Sequence, residues 1–157
     1  MLNSKNISMK LKVMTLILLV LISCNHENNL ITRKDNSISL NLDFYSTTSL
    51  SKITLYKNKI INGNSIDFYR NGNIELISSY KNGKLNGLSY YYYPSGYIKC
   101  IYNFENNLIK GNAYWYYDSS IQRIKIFEYY ELNKLCYRKF YNKKGVVLKE
   151  EGINPLN

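Results

Sequence analysis

The run Phe68-Tyr69-Arg70-Asn71-Gly72-Asn73-Ile74-Glu75-Leu76-Ile77-Ser78-Ser79-Tyr80-Lys81-Asn82-Gly83-Lys84-Leu85-Asn86-Gly87-Leu88-Ser89-Tyr90-Tyr91 decides the fold. It carries an aromatic pair, an Asn-Gly, an apolar stretch, a second Asn-Gly and an aromatic-rich stretch. A new aromatic pair, Tyr92-Tyr93, begins 24 residues after Phe68. The same step of 24 links Phe44-Tyr45, Phe68-Tyr69, Tyr92-Tyr93, Tyr116-Tyr117 and Phe140-Tyr141, and also Gly63, Gly87 and Gly111. A fixed period of this size means stacked copies of one small unit, a surface-presenting architecture without a core wrapped around a cleft.

Inside each period the apolar residues alternate. Leu40, Leu42 and Phe44 share one face and Asn41, Asp43 and Tyr45 the other; Ile66 and Phe68 oppose Asp67 and Tyr69 in the same way. Asn71-Gly72 reads as a hairpin turn in which both residues accept positive φ. Pro94-Ser95-Gly96 and Asp118-Ser119-Ser120 fill the same slot, and Asn142-Lys143-Lys144-Gly145 closes the series with one extra residue. A second turn closes each unit: Tyr56 to Gly63, Tyr80 to Gly87 and Phe104 to Gly111 align, and the match weakens across Tyr129 to Asn133, where an insertion is expected to shift the register. Each unit is therefore strand, turn, strand, turn. The expected fold is all-β: an elongated single-layer antiparallel sheet of tandem β-hairpins, about five 24-residue units over 39–152, with a tail at 153–157.

The motif Tyr80-Lys81-Asn82-Gly83-Lys84-Leu85-Asn86-Gly87, followed by an aromatic-rich strand, resembles the MORN-repeat-variant family, whose bacterial members are named YwqK-type antitoxins. The resemblance covers about residues 40–150. Its outer units depart from the pattern, with Thr48, Lys59 and Ser120 where Gly72, Gly83 and Gly96 stand, as terminal repeats do. It implies a row of β-hairpins forming one sheet and an antitoxin- or immunity-like function.

The chain opens on a different pattern. Lys5, Lys10 and Lys12 precede the apolar run Val13 to Ile22, which is too short to span a bilayer comfortably. The run ends in Leu21-Ile22-Ser23-Cys24, which resembles a bacterial lipobox. The expectation is a helical lipoprotein signal peptide over 1–23, cleavage before a lipidated Cys24, and a polar tether over 24–38. That places the protein in the bacterial cell envelope, held in the membrane by acyl chains. The lone histidine, His26, falls in the tether as a solvated side chain.

Removal of the leader with its three lysines lowers the formal charge from +10 to +7. A basic surface suits an acidic protein or acidic lipid head groups, and export argues against nucleic acid. An AT-rich coding bias toward Lys, Asn, Ile and Tyr explains the same charge equally well.

A thin sheet explains the 17 tyrosines, since each lays an apolar ring on a neighbour while its hydroxyl stays wet. Tyr45, Tyr69, Tyr93, Tyr117 and Tyr141 are expected to form a ladder, and Phe44, Phe68, Tyr92, Tyr116 and Phe140 the better-buried column. Tyr91 and Trp115 share a column with Asp67 and Lys139; with Tyr93 and Tyr117 they are the candidate binding residues, or simply more ladder. Cys100 and Cys136 lie about three strand spacings apart, ~14 Å, too far for a disulfide.

Catalytic machinery is not legible. One histidine supports no nucleophile–base pair, the cysteines lack metal-ligand spacing, and the glycines sit in turns; no cofactor or metal is expected. Glu128 and Glu131 read as a solvated strand edge. The function expected is a lipid-anchored protein-interaction module with a protein partner, not an enzyme. The alternatives are a self-associating, homo-oligomeric structural lipoprotein and a module for glycans or lipid head groups.

Overall fold

The computed structural model describes residues 38–46 and 49–154. The signal peptide, Cys24 and nearly all of the tether expected over 24–38 lie outside the described residues, as does most of the tail. Within them the protein is all-β, with no helix. The strands are β1 (Ile38–Ser46), β2 (Ser49–Lys57), β3 (Ile60–Phe68), β4 (Ile74–Lys81), β5 (Lys84–Tyr92), β6 (Ile98–Glu105), β7 (Leu108–Ile109), β8 (Gly111–Tyr116), β9 (Ile124–Glu131), β10 (Lys134–Tyr141) and β11 (Val147–Gly152). They form one open antiparallel sheet in chain order, with β7 pairing β6 ahead of β8. At the break between β7 and β8 the Lys110 amide still reaches the Asn103 carbonyl at 3.0 Å.

Register divides the sheet into two faces. The front carries a central row, Thr54, Ser65, Ser78, Ser89, Tyr102, then Ala113, Glu128 and Arg138. The back carries Ile53, Ile66, Ile77, Tyr90, Ile101, Tyr114, Phe127 and Lys139 in the neighbouring row. The core gathers at β2 and β3, where Ile53, Leu55, Ile66 and Phe68 are buried. On the front, Thr54, Ser65, Ser78, Ser89 and Ala113 are buried because they are small, so larger residues on either side lean over them.

The two turns of each unit differ in chemistry. Two-residue turns at Asn58-Lys59, Asn82-Gly83, Asn106-Asn107 and Leu132-Asn133 have both φ positive, the geometry that matches strand twist. Three-residue turns follow the aromatic pairs: the Gly72 amide donates to Tyr69 O and the Tyr69 amide to Asn73 O, both at 2.8 Å, with Gly72 alone at positive φ. Asn71 therefore does not take the positive φ expected of it. Its side chain accepts from the Asn73 amide at 3.0 Å and its amide group donates to Pro94 O of the next unit at 2.9 Å.

Lys59 and Leu132 are the residues other than Asn or Gly at these positions, and Leu132 is the apolar one. It holds φ 46 on an exposed β-turn position without the local side-chain bonding that lets Asn do so. Leu132→Asn is expected to stabilise the sheet by about 1 kcal/mol, read as a higher denaturant midpoint at unchanged slope.

Units are bonded to one another at both strand ends. Asn107 donates its amide to Leu85 O at 2.9 Å and accepts the Leu85 amide on Oδ1 at 2.7 Å; Asn133 repeats the exchange with Ile109. At the other end four members of the expected tyrosine ladder, all but Tyr141, give their hydroxyls to backbone carbonyls. Tyr45 donates to Phe68 O, Tyr69 to Tyr92 O, Tyr93 to Tyr116 O and Tyr117 to Tyr141 O, all within 2.7–2.9 Å. Each tyrosine thus ties its unit to the backbone of the next. The adjacent column is not uniformly the buried one: Phe68 is buried, Phe44 is 53% exposed and Tyr92, Tyr116 and Phe140 are half-buried.

The last unit is out of step with the period of 24. The turn after Tyr117 closes on Arg123, two residues longer than the turns closing Tyr69 on Asn73 and Tyr93 on Tyr97. The extra length is therefore there and not at 129–133. The bulge that follows each two-residue turn is one residue shorter in β10, running from Leu135 to Arg138 where β5 runs from Leu85 to Ser89. The net slip is one residue. Asn142, not Tyr141, closes the final turn with its amide on Val146 O, in the place of Tyr69 and Tyr93. A one-residue slip changes faces, so Phe140 lies in the front row with Trp115 and Ile126, and Lys139 is on the back, away from Tyr91 and Trp115.

Candidate functional site

The front face rises at one place. Most of its central row is Thr, Ser or Ala, but β6 inserts Tyr102. Its ring centroid lies 6.0 Å from Tyr91, 5.9 Å from Trp115, 6.1 Å from Tyr130 and 6.3 Å from Phe104. Tyr91 and Trp115 meet edge-on with Tyr102, at interplanar angles of 87°, a favoured arrangement of ring quadrupoles. Register explains the grouping: Cys100 pairs with Tyr91 on one side and Trp115 on the other, and Tyr102 is two residues along the same strand. Gly87 and Gly111 stand opposite Phe104 and Tyr130, leaving room for those rings. All five rings are half-buried, so one side of the cluster is protein and the other is open.

Beneath Trp115 lies Glu128, 2% exposed and not on a solvated edge. Its Oε2 accepts the indole Nε1–H at 2.8 Å and the Tyr130 hydroxyl at 3.1 Å. Its Oε1 accepts Nε of Arg138 at 2.7 Å and pairs with Nη2 at 2.6 Å. Four donors occupy the carboxylate, which therefore orients the indole and has no lone pair left for a proton in transit. Glu131 does sit on an exposed strand end.

Burial pushes the Tyr102 phenol up, with the Tyr130 hydroxyl next in effect, and pushes the Tyr91 phenol up as well. Burial also pushes the Cys100 thiol up to about 12. Cys100 and Cys136 are both free thiols, with β8 and β9 between their strands. Because the thiolate is the reactive form, Cys100 is expected to resist alkylation from pH 7 to pH 9 and to react only on unfolding, while Cys136 is labelled in the native state; mass mapping of the adduct checks this.

Tyr93 and Tyr117 are placed differently from Tyr91 and Trp115. Their hydroxyls are used by the next unit, and their rings face cations: Lys99 Nζ is 6.0 Å from the Tyr93 ring, and Lys125 and Lys143 are each 5.8 Å from that of Tyr117. Tyr93, Tyr117, Lys125 and Lys143 line, with Arg123 and the long turn from Asp118, an open basic cleft of about 530 Å³. A second cleft, about 500 Å³, is lined at the β1 end by Asp43, Asp67 and Glu75 with Lys52 and Tyr91. The structure thus places Tyr91 and Trp115 in the aromatic cluster and Tyr93 and Tyr117 in the basic cleft, and adds Tyr102, Phe104, Tyr130 and Glu128, which the sequence pattern does not single out as binding residues. Among the described residues no group of three or more His, Cys, Asp or Glu side chains is placed to hold a metal ion.

No family model matches the sequence, and no curated protein matches it. Solved structures align with much of the chain at low similarity. The Glycosylation Associate Protein (Gap123) complex from Streptococcus agalactiae aligns with 76% of this chain at 14% identity and a TM-score of 0.42, over 22% of its own chain. Accessory secretory protein 1,2 and 3 in Streptococcus pneumoniae aligns with 87% at 18% identity and a TM-score of 0.32, over 24% of its chain. This chain thus spans about a quarter or less of either neighbour. Likeness at this level assigns no function.

Proposed function

We propose that this protein is a lipid-anchored module of a bacterial cell envelope that docks a protein partner on the front face of its sheet, in the manner of an antitoxin or immunity protein. One observation carries the reading: the rings about Tyr102 gather edge-on, Glu128 orients Trp115 and Tyr130 among them, and all stay half-exposed. Pre-oriented Trp and Tyr rings supply contact area at little entropic cost, and such residues dominate interface hot spots. The satisfied carboxylate favours a scaffold over an acid–base catalyst. Cys24 supplies the anchor, by its place in the lipobox-like Leu21-Ile22-Ser23-Cys24.

The test uses a photo-crosslinking residue at Tyr91 in membranes, with the same residue at the back-face position Ile77 as control. One protein in stoichiometric yield from Tyr91 alone, lost in a Tyr102→Ala background, is expected. Identical adducts from both positions, or none from either, would overturn the docking face. Labelling with an alkyne fatty acid, abolished by Cys24→Ala, tests the anchor separately.

The basic cleft favours a second reading, recognition of an anionic glycan or lipid head group. Lys125 and Lys143 line it with Tyr93 and Tyr117 and have no carboxylate partner within ion-pair distance among the described residues. Binding to anionic vesicles or glycans that disappears in Lys125→Ala/Lys143→Ala and survives Tyr102→Ala would favour it.

A further inference from the structure

The two outer edges of the sheet are treated unequally. β11 is short and reads Val147-Leu148-Lys149-Glu150-Glu151-Gly152, with charge on three consecutive positions. Charged, short edge strands discourage pairing with another chain. β1 has nine residues, one charge at Asp43, and no Lys, Pro or Gly. Its apolar residues Ile38, Leu40, Leu42 and Phe44 are 53%, 39%, 44% and 53% exposed. They belong to the apolar back face, since Leu40 pairs with Leu55 and Leu42 with Ile53, both buried.

The pattern of β1 is a palindrome. Reading outward from Asn41 in either direction gives an apolar residue, a polar residue and an apolar residue: Leu40, Ser39, Ile38 one way and Leu42, Asp43, Phe44 the other. A residue-centred two-fold pairs residues on the same face, so this alternation sets apolar residues of β1 opposite apolar residues of a second β1.

We propose that β1 pairs antiparallel with β1 of a second copy of this chain, about a two-fold axis at Asn41, giving one continuous sheet through two molecules. In this register Leu40 faces Leu42 of the second copy, Ile38 faces Phe44, Ser39 faces Asp43 and Asn41 faces Asn41. The four apolar pairs extend the Ile53–Ile66 row across the junction, and the two Asp43 carboxylates stand apart. Moving the axis to Leu42 carries the pairing into the irregular end of β1 between Phe44 and Ser46, and an odd slip sets Leu40 against a polar side chain on the wrong face. A two-fold contact closes on itself, so the assembly stops at two, with the charged β11 edges outermost. The inference is independent of what docks on the aromatic cluster, and it brings two Cys24 anchors to one assembly.

The register makes a sharp test possible. Directly opposed Cα atoms in an antiparallel pair are about 4.5–5.5 Å apart, inside the range of about 4.4–6.8 Å that a disulfide spans. Ser39 is offset from Ser39 of the second copy by four residues, ~13 Å. The full chain carrying Cys24→Ala and Cys136→Ser is purified in detergent and oxidised mildly. Asn41→Cys is expected to give mainly covalent dimer, Ser39→Cys alone to stay monomeric, and Ser39→Cys mixed with Asp43→Cys to give dimer again. Sedimentation of the uncrosslinked chain should show a dimer whose dissociation constant rises at least ~100-fold in Leu42→Lys, with the near-UV spectrum of the sheet retained. Equal crosslinking of Asn41→Cys and Ser39→Cys, or a concentration-independent monomer without any Asn41→Cys product, would overturn the proposal. Docking at the aromatic cluster would survive either outcome, so the two readings fail separately.

Discussion

Glu128→Ala is expected to destabilise the sheet by about 3 kcal/mol. The substitution removes the acceptor for the Trp115 indole and the Tyr130 hydroxyl and leaves the Arg138 guanidinium without its counter-charge. Breaking a buried pair by deleting one member costs about 3–5 kcal/mol, because the surviving charge keeps its desolvation penalty. The lower end applies here, since Arg138 is about one-third exposed and recovers some hydration. Equilibrium denaturation with Trp115 fluorescence as the probe measures the loss, and Trp115 is the chain's sole tryptophan. Glu128→Gln keeps an acceptor for the indole and should lose less. Equal stability of wild type and Glu128→Ala would mean that the carboxylate does not hold the cluster.

Gly63→Ala is expected to cost about 2–3 kcal/mol. Gly63 sits in the bulge after the first two-residue turn at φ 115, a region that side-chain-bearing residues avoid at a cost of about 1–3 kcal/mol. A Cβ there would also meet Leu55 Cδ2 at 2.7 Å, forcing that buried side chain to move. In a row of repeats each unit is supported only by its neighbours, so the damage should fall on β2 and β3, where the core is concentrated. Hydrogen exchange should show protection lost in those two strands and kept in β9 and β10. An unchanged denaturation midpoint would show that the bulge does not constrain this backbone. The last unit supplies the counter-example: it has no glycine at the equivalent place, and its bulge is one residue shorter. The glycine and the long bulge come together or not at all.

That last unit also explains where the sequence reading went astray. Phe140-Tyr141 lies 24 residues after Tyr116-Tyr117, so it looks like the next aromatic pair. Two extra residues in the turn after Tyr117 and one fewer in the β10 bulge make the true step 25. Asp118-Ser119-Ser120 signals a turn but carries no measure of its length, and Phe140 is aromatic in the new register as well as the old. The same slip hid Glu128. Counted by 24 from Thr54, Ser78 and Tyr102, the next member of the column is Ile126; in the sheet it is Glu128. Tyr102 was within reach, as the one large side chain in a column that otherwise begins Thr54 and Ser78.

The kind of sheet is legible in the residues alone: its hairpins, their order, the place of most turns and the alternation of faces within the regular units. These follow from local rules of period two, positive-φ turn residues and a repeat, which act within one unit and its neighbour. The register of the last unit, the partners of the tyrosine hydroxyls, and the gathering of Tyr91, Tyr102, Trp115 and Tyr130 around a buried carboxylate emerge only in three dimensions. Those depend on bulges and turn lengths summed along the chain. One residue more or less turns every later side chain to the opposite face, while leaving the local pattern that a sequence displays unchanged.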